Sequence, residues 1–218
     1  MSYVSGDLVV IVRAVTLIAF HQERFYGDKM FLYETAFTLT DLDGDNALPN
    51  GELIDTVALN SVTGIDATTT ANVGRYGDEI EITGQSGSNG FDADNYDLSY
   101  VTGDLVVNQR AVILTASQQE RIYGETMVLD NTAFAVTDLD GDSALPNGEV
   151  IDEVALNSVT GVDVTLTSNV GIYADEIEIM GQAGSNGFDV DNYDLCLLYT
   201  SDAADERSSV DLGGRRII

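Results

Sequence analysis

Four carboxylates packed into twelve residues are the groups in this chain best placed to do chemistry. Residues 41–52 read DLDGDNALPNGE, with Asp41, Asp43, Asp45 and Glu52 at loop positions 1, 3, 5 and 12. The stretch recurs at residues 138–149 as DLDGDSALPNGE, carrying Asp138, Asp140, Asp142 and Glu149. These are the carboxylate positions of an EF-hand-type calcium loop, and the apolar residue expected at position 8 is present as Leu48 and Leu145. Calcium takes six to eight oxygen ligands, and alternate residues of a tight loop can point at one centre while a late Glu closes the shell. The carbonyl of Ala47 would serve position 7. Position 6 is Asn46 or Ser143 where the motif wants glycine, and the flanks read as strand, so a helix–loop–helix unit is not expected. Two readings stay open: a Ca2+ site on these eight residues, or a polar Asp/Asn/Gly/Pro turn. A second cluster, Asp92, Asp94, Asn95 and Asp97, recurs at Asp189, Asp191, Asn192 and Asp194 and reads as a solvated turn.

Other chemistries find little support. His21 is the only histidine and its counterpart is Gln118, so histidine catalysis would fail in one copy of two. The only cysteine, Cys196, lies beyond the repeated text, which excludes a disulfide framework or a cysteine-ligated zinc site from the repeat. Residues 1–195 hold six Lys or Arg against 33 Asp or Glu, a formal charge of −27. Such a field repels polyanions, so nucleic acid is not an expected partner. Carboxylates this abundant will place some pair at glycosidase spacing in any fold, which is a weak signal without a cleft. An enzyme is not expected. No run approaches the roughly 18 apolar residues of a membrane helix, so no membrane insertion is expected in this segment.

The elements that must carry the acidic loops come in two copies. An offset of 97 superposes residues 2–98 on 99–195 with 70 identities. That period is the size of a small domain, long enough to bury its own core. Within a copy the periodicity is 2. Residues 13–19 (RAVTLIA), 22–26 (QERFY), 35–40 (TAFTLT), 53–59 and 76–82 read as strands. In the last of these Tyr76, Asp78, Ile80 and Ile82 share one parity, and Glu79 and Glu81 the other. Gly/Asn/Ser clusters such as residues 84–90, GQSGSNG, read as loops. Residues 95–107, NYDLSYVTGDLVV, read as a hairpin turning at Thr102 and Gly103. Short strands at regular spacing predict an all-β chain of tandem Ig-like β-sandwich modules, with a β-grasp-like small β domain as the alternative.

The expected organisation is a closing strand of a preceding repeat (1–10), a complete module (11–108) and a second module lacking its last strand (109–195). Residues 196–218 have no upstream counterpart. Their back-translation resembles the transposon end and adapter of sequencing libraries, so they are expected to be a non-native tail.

Several motifs in order carry a family resemblance: RAVTLIA with Gln22, Tyr26-Gly27-Asp28, Thr35-Ala36-Phe37, Asp41-Leu42 with Gly44-Asp45, Val73-Gly74 with Tyr76, and NYDLSYVTGDLVV. In the second copy the tripeptide is Tyr123-Gly124-Glu125. Residues 2–195 resemble the MBG/YDG-type tandem repeats of bacterial filamentous-haemagglutinin-like surface adhesins. The resemblance implies a compact β module serving as stalk or spacer on the bacterial cell surface or outside the cell, with no catalytic residues. Its implied partners are neighbouring repeats of the same chain. Surface glycans or proteins would be bound by domains elsewhere, or by the module itself on the alternative reading. Calcium on the acidic loops would stiffen such a stalk.

Overall fold

The computed structural model describes residues 5–138 and 140–198. Among them all extended regular structure is β, interrupted only by single 3-10 turns. The chain divides into two compact units, Met1–Gln109 and Arg110–Ile218.

The first unit contains β1 (Arg13–Ala19), β2 (Gln22–Phe25), β3 (Phe37–Asp41), β4 (Leu53–Ser61), β5 (Gly74–Ser88), β6 (Tyr96–Val101) and β7 (Gly103–Asn108). They form two sheets, β3-β1-β6 and β2-β7-β5-β4, a sandwich-like arrangement. Alternation explains the core. β1 turns Val15, Leu17 and Ala19 inward, and β7 turns Leu105 and Val107 inward, to join Val57, Ile80 and Ile82. Full burial of each such side chain contributes about 1.5–3 kcal/mol.

Residues 95–107 do not form the expected hairpin. β6 pairs with β1 and β7 pairs with β2, both parallel, so the chain crosses from one sheet to the other at Thr102. The register is continuous through the crossing: Arg13 faces Tyr96, Ile18 faces Val101, and Gln22 then faces Leu105. Gly103 is needed here for close approach. A Cβ on it would lie 2.6 Å from the carbonyl oxygen of Phe20 and 2.8 Å from that of Ala19.

Two further expectations are corrected. Residues 84–88 are strand: β5 continues through the glycines to pair with β4. Gly87 lies so close to its partner that a Cβ would sit 2.2 Å from the Leu53 carbonyl oxygen. The parity expected over residues 76–82 also breaks. Asp78 adopts φ 56° at an irregularity between Tyr76 and Ile80, and the slip buries Glu79 beside Ile80.

The second unit contains β8 (Arg110–Ala116), β9 (Phe134–Asp138), β10 (Val150–Ser158), β11 (Ile177–Ser185) and β12 (Tyr193–Leu198), in sheets β12-β8-β9 and β10-β11. One residue, Gln109, separates β7 from β8. No counterpart of β7 is present among the described residues. Cys196, Leu197 and Leu198, counted by sequence with the tail, extend β12 along β8. The remainder of that tail, 199–218, and residues 1–4 lie outside the described residues. Residues 5–12 carry no regular structure and are exposed.

Candidate functional site

Each acidic loop leaves the end of one strand and enters the next through a tight turn. β3 ends on Asp41, and β9 on Asp138. Asp41 organises the turn itself: its Oδ1 accepts from the backbone N–H of Asp43 at 2.9 Å and of Asp45 at 3.1 Å. The backbone closes the same turn, with Asp41 N–H donating to the Asp45 carbonyl at 2.9 Å. Left-handed backbone falls at Gly44, Asn50 and Gly51, and not at Asn46, where an EF-hand loop requires it. Leu48 is buried and anchors the far side.

The other oxygen of Asp41 meets an arginine. Arg13, the first residue of β1, donates through Nε to Asp41 Oδ2 at 3.0 Å, and its Nη2 bonds both Asp41 and Asp43. Across the β1–β3 pair this brings together residues 28 positions apart. The arrangement repeats: Arg110 Nε and Nη2 donate to Asp138 Oδ2 at 3.2 and 2.9 Å, and Nη2 also bonds Asp140. Asp138 Oδ1 accepts from Asp140 and Asp142 N–H at 3.0 and 2.9 Å. Planar guanidinium suits this forked recognition. The Arg13 guanidinium holds the Asp41 carboxyl below its usual range, aided by the two backbone N–H groups. At Asp138 burial pushes the carboxyl up, but Arg110 and the backbone donors outweigh it and the net direction is down.

The fourth carboxylate goes elsewhere. Glu52 accepts from the Tyr96 hydroxyl at 2.5 Å, and Glu149 from Tyr193 at 2.6 Å. Burial and then Glu52 push the Tyr96 hydroxyl up to about 12. Of the eight candidate ligands, then, Asp41 with Asp43 and Asp138 with Asp140 are brought together on arginine. Glu52 and Glu149 face tyrosines, and the Asp45 and Asp142 side chains are exposed. Among the described residues no group of three or more His, Cys, Asp or Glu is arranged to hold a metal ion. The second cluster forms a turn in which Asp92 caps Asp94 N–H at 3.1 Å, and Asp189 does the same for Asp191.

Three ionic features went unread in the sequence. Glu79 is buried and accepts from the Ser61 hydroxyl, from Thr63 N–H at 2.9 Å and from the Thr63 hydroxyl at 3.0 Å. Burial raises its pKa, yet these donors together bring it below the usual range. Glu176 is held in the same way by Ser158 and Thr160. Arg24 is buried and donates to carbonyls of Asp28 (2.8 Å) and Thr68 (2.7 Å) rather than to a carboxylate. A signal existed: only six basic residues occur in 195, and Arg13/Arg110 and Arg24/Arg121 are retained in both copies.

Residues 15–106 match the family model of the MBG domain (YGX type), which spans β1 through most of β7. Comparison with curated proteins and with solved structures gave no match.

Proposed function

We propose, from an MBG-type module repeated in tandem, that the chain is a stalk or spacer segment of a large surface-exposed bacterial protein and has no catalytic role. The observation that carries this reading is the junction: β7 completes one unit and β8 begins the next after Gln109 alone, which leaves little chain to flex. A formal charge of −28 supports an array that stays soluble and resists self-association between faces. Small-angle scattering on the full chain tests it. Inserting a Gly/Ser stretch after Gln109 should broaden the distance distribution, and an unchanged distribution would sink the stiff junction. A specific affinity of the chain for a glycan or surface protein would favour the alternative, a binding module.

Calcium stiffening is the second reading, favoured by the spacing of the eight carboxylates. It requires Asp43 to leave Arg13 and Glu52 to leave Tyr96, so calcium competes with ion pairs already in place. Binding to the native state alone at about 100 times Kd would add ~2.7 kcal/mol. Thermal unfolding in calcium, magnesium and chelator separates the two, with Asp43→Ala/Asp45→Ala as control. Arginine-held loops give equal midpoints; a calcium-specific rise lost in the control identifies a metal loop.

A further inference from the structure

Two Asn-Gly pairs meet at one end of the β4–β5 ladder in the first unit. Asn50-Gly51 precedes β4, and Asn89-Gly90 follows directly on β5, whose last residue Ser88 pairs with Leu53. All four residues are exposed and left-handed, with φ of 59° and 73° in the first pair and 55° and 91° in the second. Asn and Gly accept that conformation at the least steric cost. One bond joins the turns: Asn89 Nδ2 donates to the Gly51 carbonyl at 3.2 Å. Among the described residues no hydrogen bond holds the Asn50 side chain. The second unit repeats the arrangement, with Asn186 Nδ2 donating to the Gly148 carbonyl at 3.4 Å.

Each pair carries an electrophile and a nucleophile side by side. The side-chain amide carbon of Asn, Cγ, is open to attack by the next backbone nitrogen, and glycine puts no side chain in the way. The new Cγ–N bond closes a five-membered imide. The Cγ–Nδ2 bond breaks, and the amide leaves as ammonia with the proton of the glycine N–H. Water then opens the ring at one of its two carbonyls. Opening at Cγ gives aspartate, and opening at the main-chain carbonyl gives isoaspartate, with one more methylene in the backbone. Ring closure needs Cβ and the Gly51 nitrogen on one side of the Cα–C bond. At ψ 9° Asn50 holds them apart, so the folded turn must open locally before it reacts.

We propose that Asn50 and Asn89 are an ordered pair of spontaneous modification sites. Asn50 reacts first, because only local opening of its turn stands in the way. Asn89 must also give up its bond to Gly51, so in the intact chain it lags by about two- to tenfold. Isoaspartate at position 50 lengthens the main chain next to Gly51 and displaces the carbonyl that Asn89 holds. The second event then follows faster than in an unmodified chain. Each event adds a carboxylate, the first of them inside the twelve-residue loop that already has four. The turn leading into β4 thereby records the age of the folded protein without any enzyme.

Peptide mapping by mass spectrometry on the full chain, held folded at mildly alkaline pH, tests the order. Residue 50 should accumulate aspartate and isoaspartate before residue 89 does. In denaturant, where neither turn nor bond remains, the two rates should converge. In a chain carrying Asn147→Gln and Asn186→Gln, ion exchange isolates molecules modified at residue 50 alone. Asn89 in those molecules should react about two- to tenfold faster than in the intact chain. Asn50→Gln, which cannot close a five-membered ring, should leave Asn89 slow throughout. Asn89 reacting as fast as Asn50 in the folded chain overturns the proposal. So does an Asn89 rate that is the same whether residue 50 is asparagine or isoaspartate. A folded chain that stays intact while the denatured chain reacts would show that the turns do not open, and overturns it as well.

Discussion

The two units share 70 of 97 aligned residues, yet among the described residues the second shows two strands fewer than the first. QERF in the first unit is β2, while QERI at residues 119–122 is not strand. β5 runs for 15 residues and its counterpart β11 for nine, beginning only at Ile177. Tyr26 is 3% exposed in the first unit, and Tyr123 is 60% exposed in the second. In the first unit these positions border β7, which has no counterpart among the described residues of the second. Segments of nearly one sequence become strand or loop according to whether a neighbour offers a ladder, so strand here is a property of pairing more than of local preference.

The largest effect should come from making the first unit resemble the second. Leu105→Asp would expel β7 and with it β2 and the Gly74 end of β5, at a cost exceeding the ~2–5 kcal/mol of a Leu→Ala cavity. Hydrogen exchange should then show the Arg24 and Tyr76 amides as open as those of Arg121 and Tyr173. Retained protection at Arg24 would mean that β2 stands without its partner.

The ion pairs sharpen the contrast next. The Arg110 and Asp138 side chains are 6% and 4% exposed, whereas Arg13 is 31% exposed. Arg110→Met strands a buried carboxylate and should cost ~3–5 kcal/mol in chemical denaturation. Arg13→Met should cost less, because water already screens the Arg13 guanidinium and weakens its pull on Asp41, even though the Asp41 side chain is itself only 3% exposed. Equal losses would show that exposure does not set the worth of this pair.

Acid and alkali then probe what the units share. Asp41, Glu79, Asp138 and Glu176 all titrate below their ordinary range when folded. Their stabilisation is complete above the unfolded values near ~4 and disappears as pH falls through the lower folded ones. Both units should therefore lose stability in the same acid window. Tyr96 is raised to about 12, so its contribution is complete below ~10 and fades as pH rises towards the folded value. Tyr96→Phe should remove that alkaline loss from the first unit and leave the acid limb unchanged. The smallest effect belongs to the Glu79 lock. Glu79→Gln and Glu176→Gln should each cost ~1–3 kcal/mol, and a large difference between them would tie the lock to the closing strand.

These results mark where the residue pattern was legible. β1 follows RAVTLIA residue for residue because β-branched and aliphatic positions alternate without a break. β4 was equally readable. The crossing at Thr102 was not: Thr-Gly between two apolar runs reads the same whether the second run folds back or moves to another sheet. Gly87 looks like a loop residue because composition cannot report that the facing Leu53 carbonyl forbids a side chain. The parity that sets Glu79 opposite Ile80 fails because one residue with positive φ, Asp78, shifts everything beyond it. The acidic loops were found from spacing, but their arginine partner sits 28 residues away, and only pairing of β1 with β3 joins them.

One feature of the ladder bears on load. β1 with β2 forms one path and β6 with β7 another, parallel and in a single register through six and then four paired positions. The chain enters the module at the start of the first path and leaves at the end of the second. Tension applied through the chain therefore pulls the two paths in opposite directions along their length. Their hydrogen bonds are stressed sideways and all together, where an antiparallel hairpin at the chain ends would unzip one bond at a time. A module wired in this way is expected to resist stretching better than its thermal stability alone would indicate, and among the described residues the second unit shows the β8–β12 part of the same ladder.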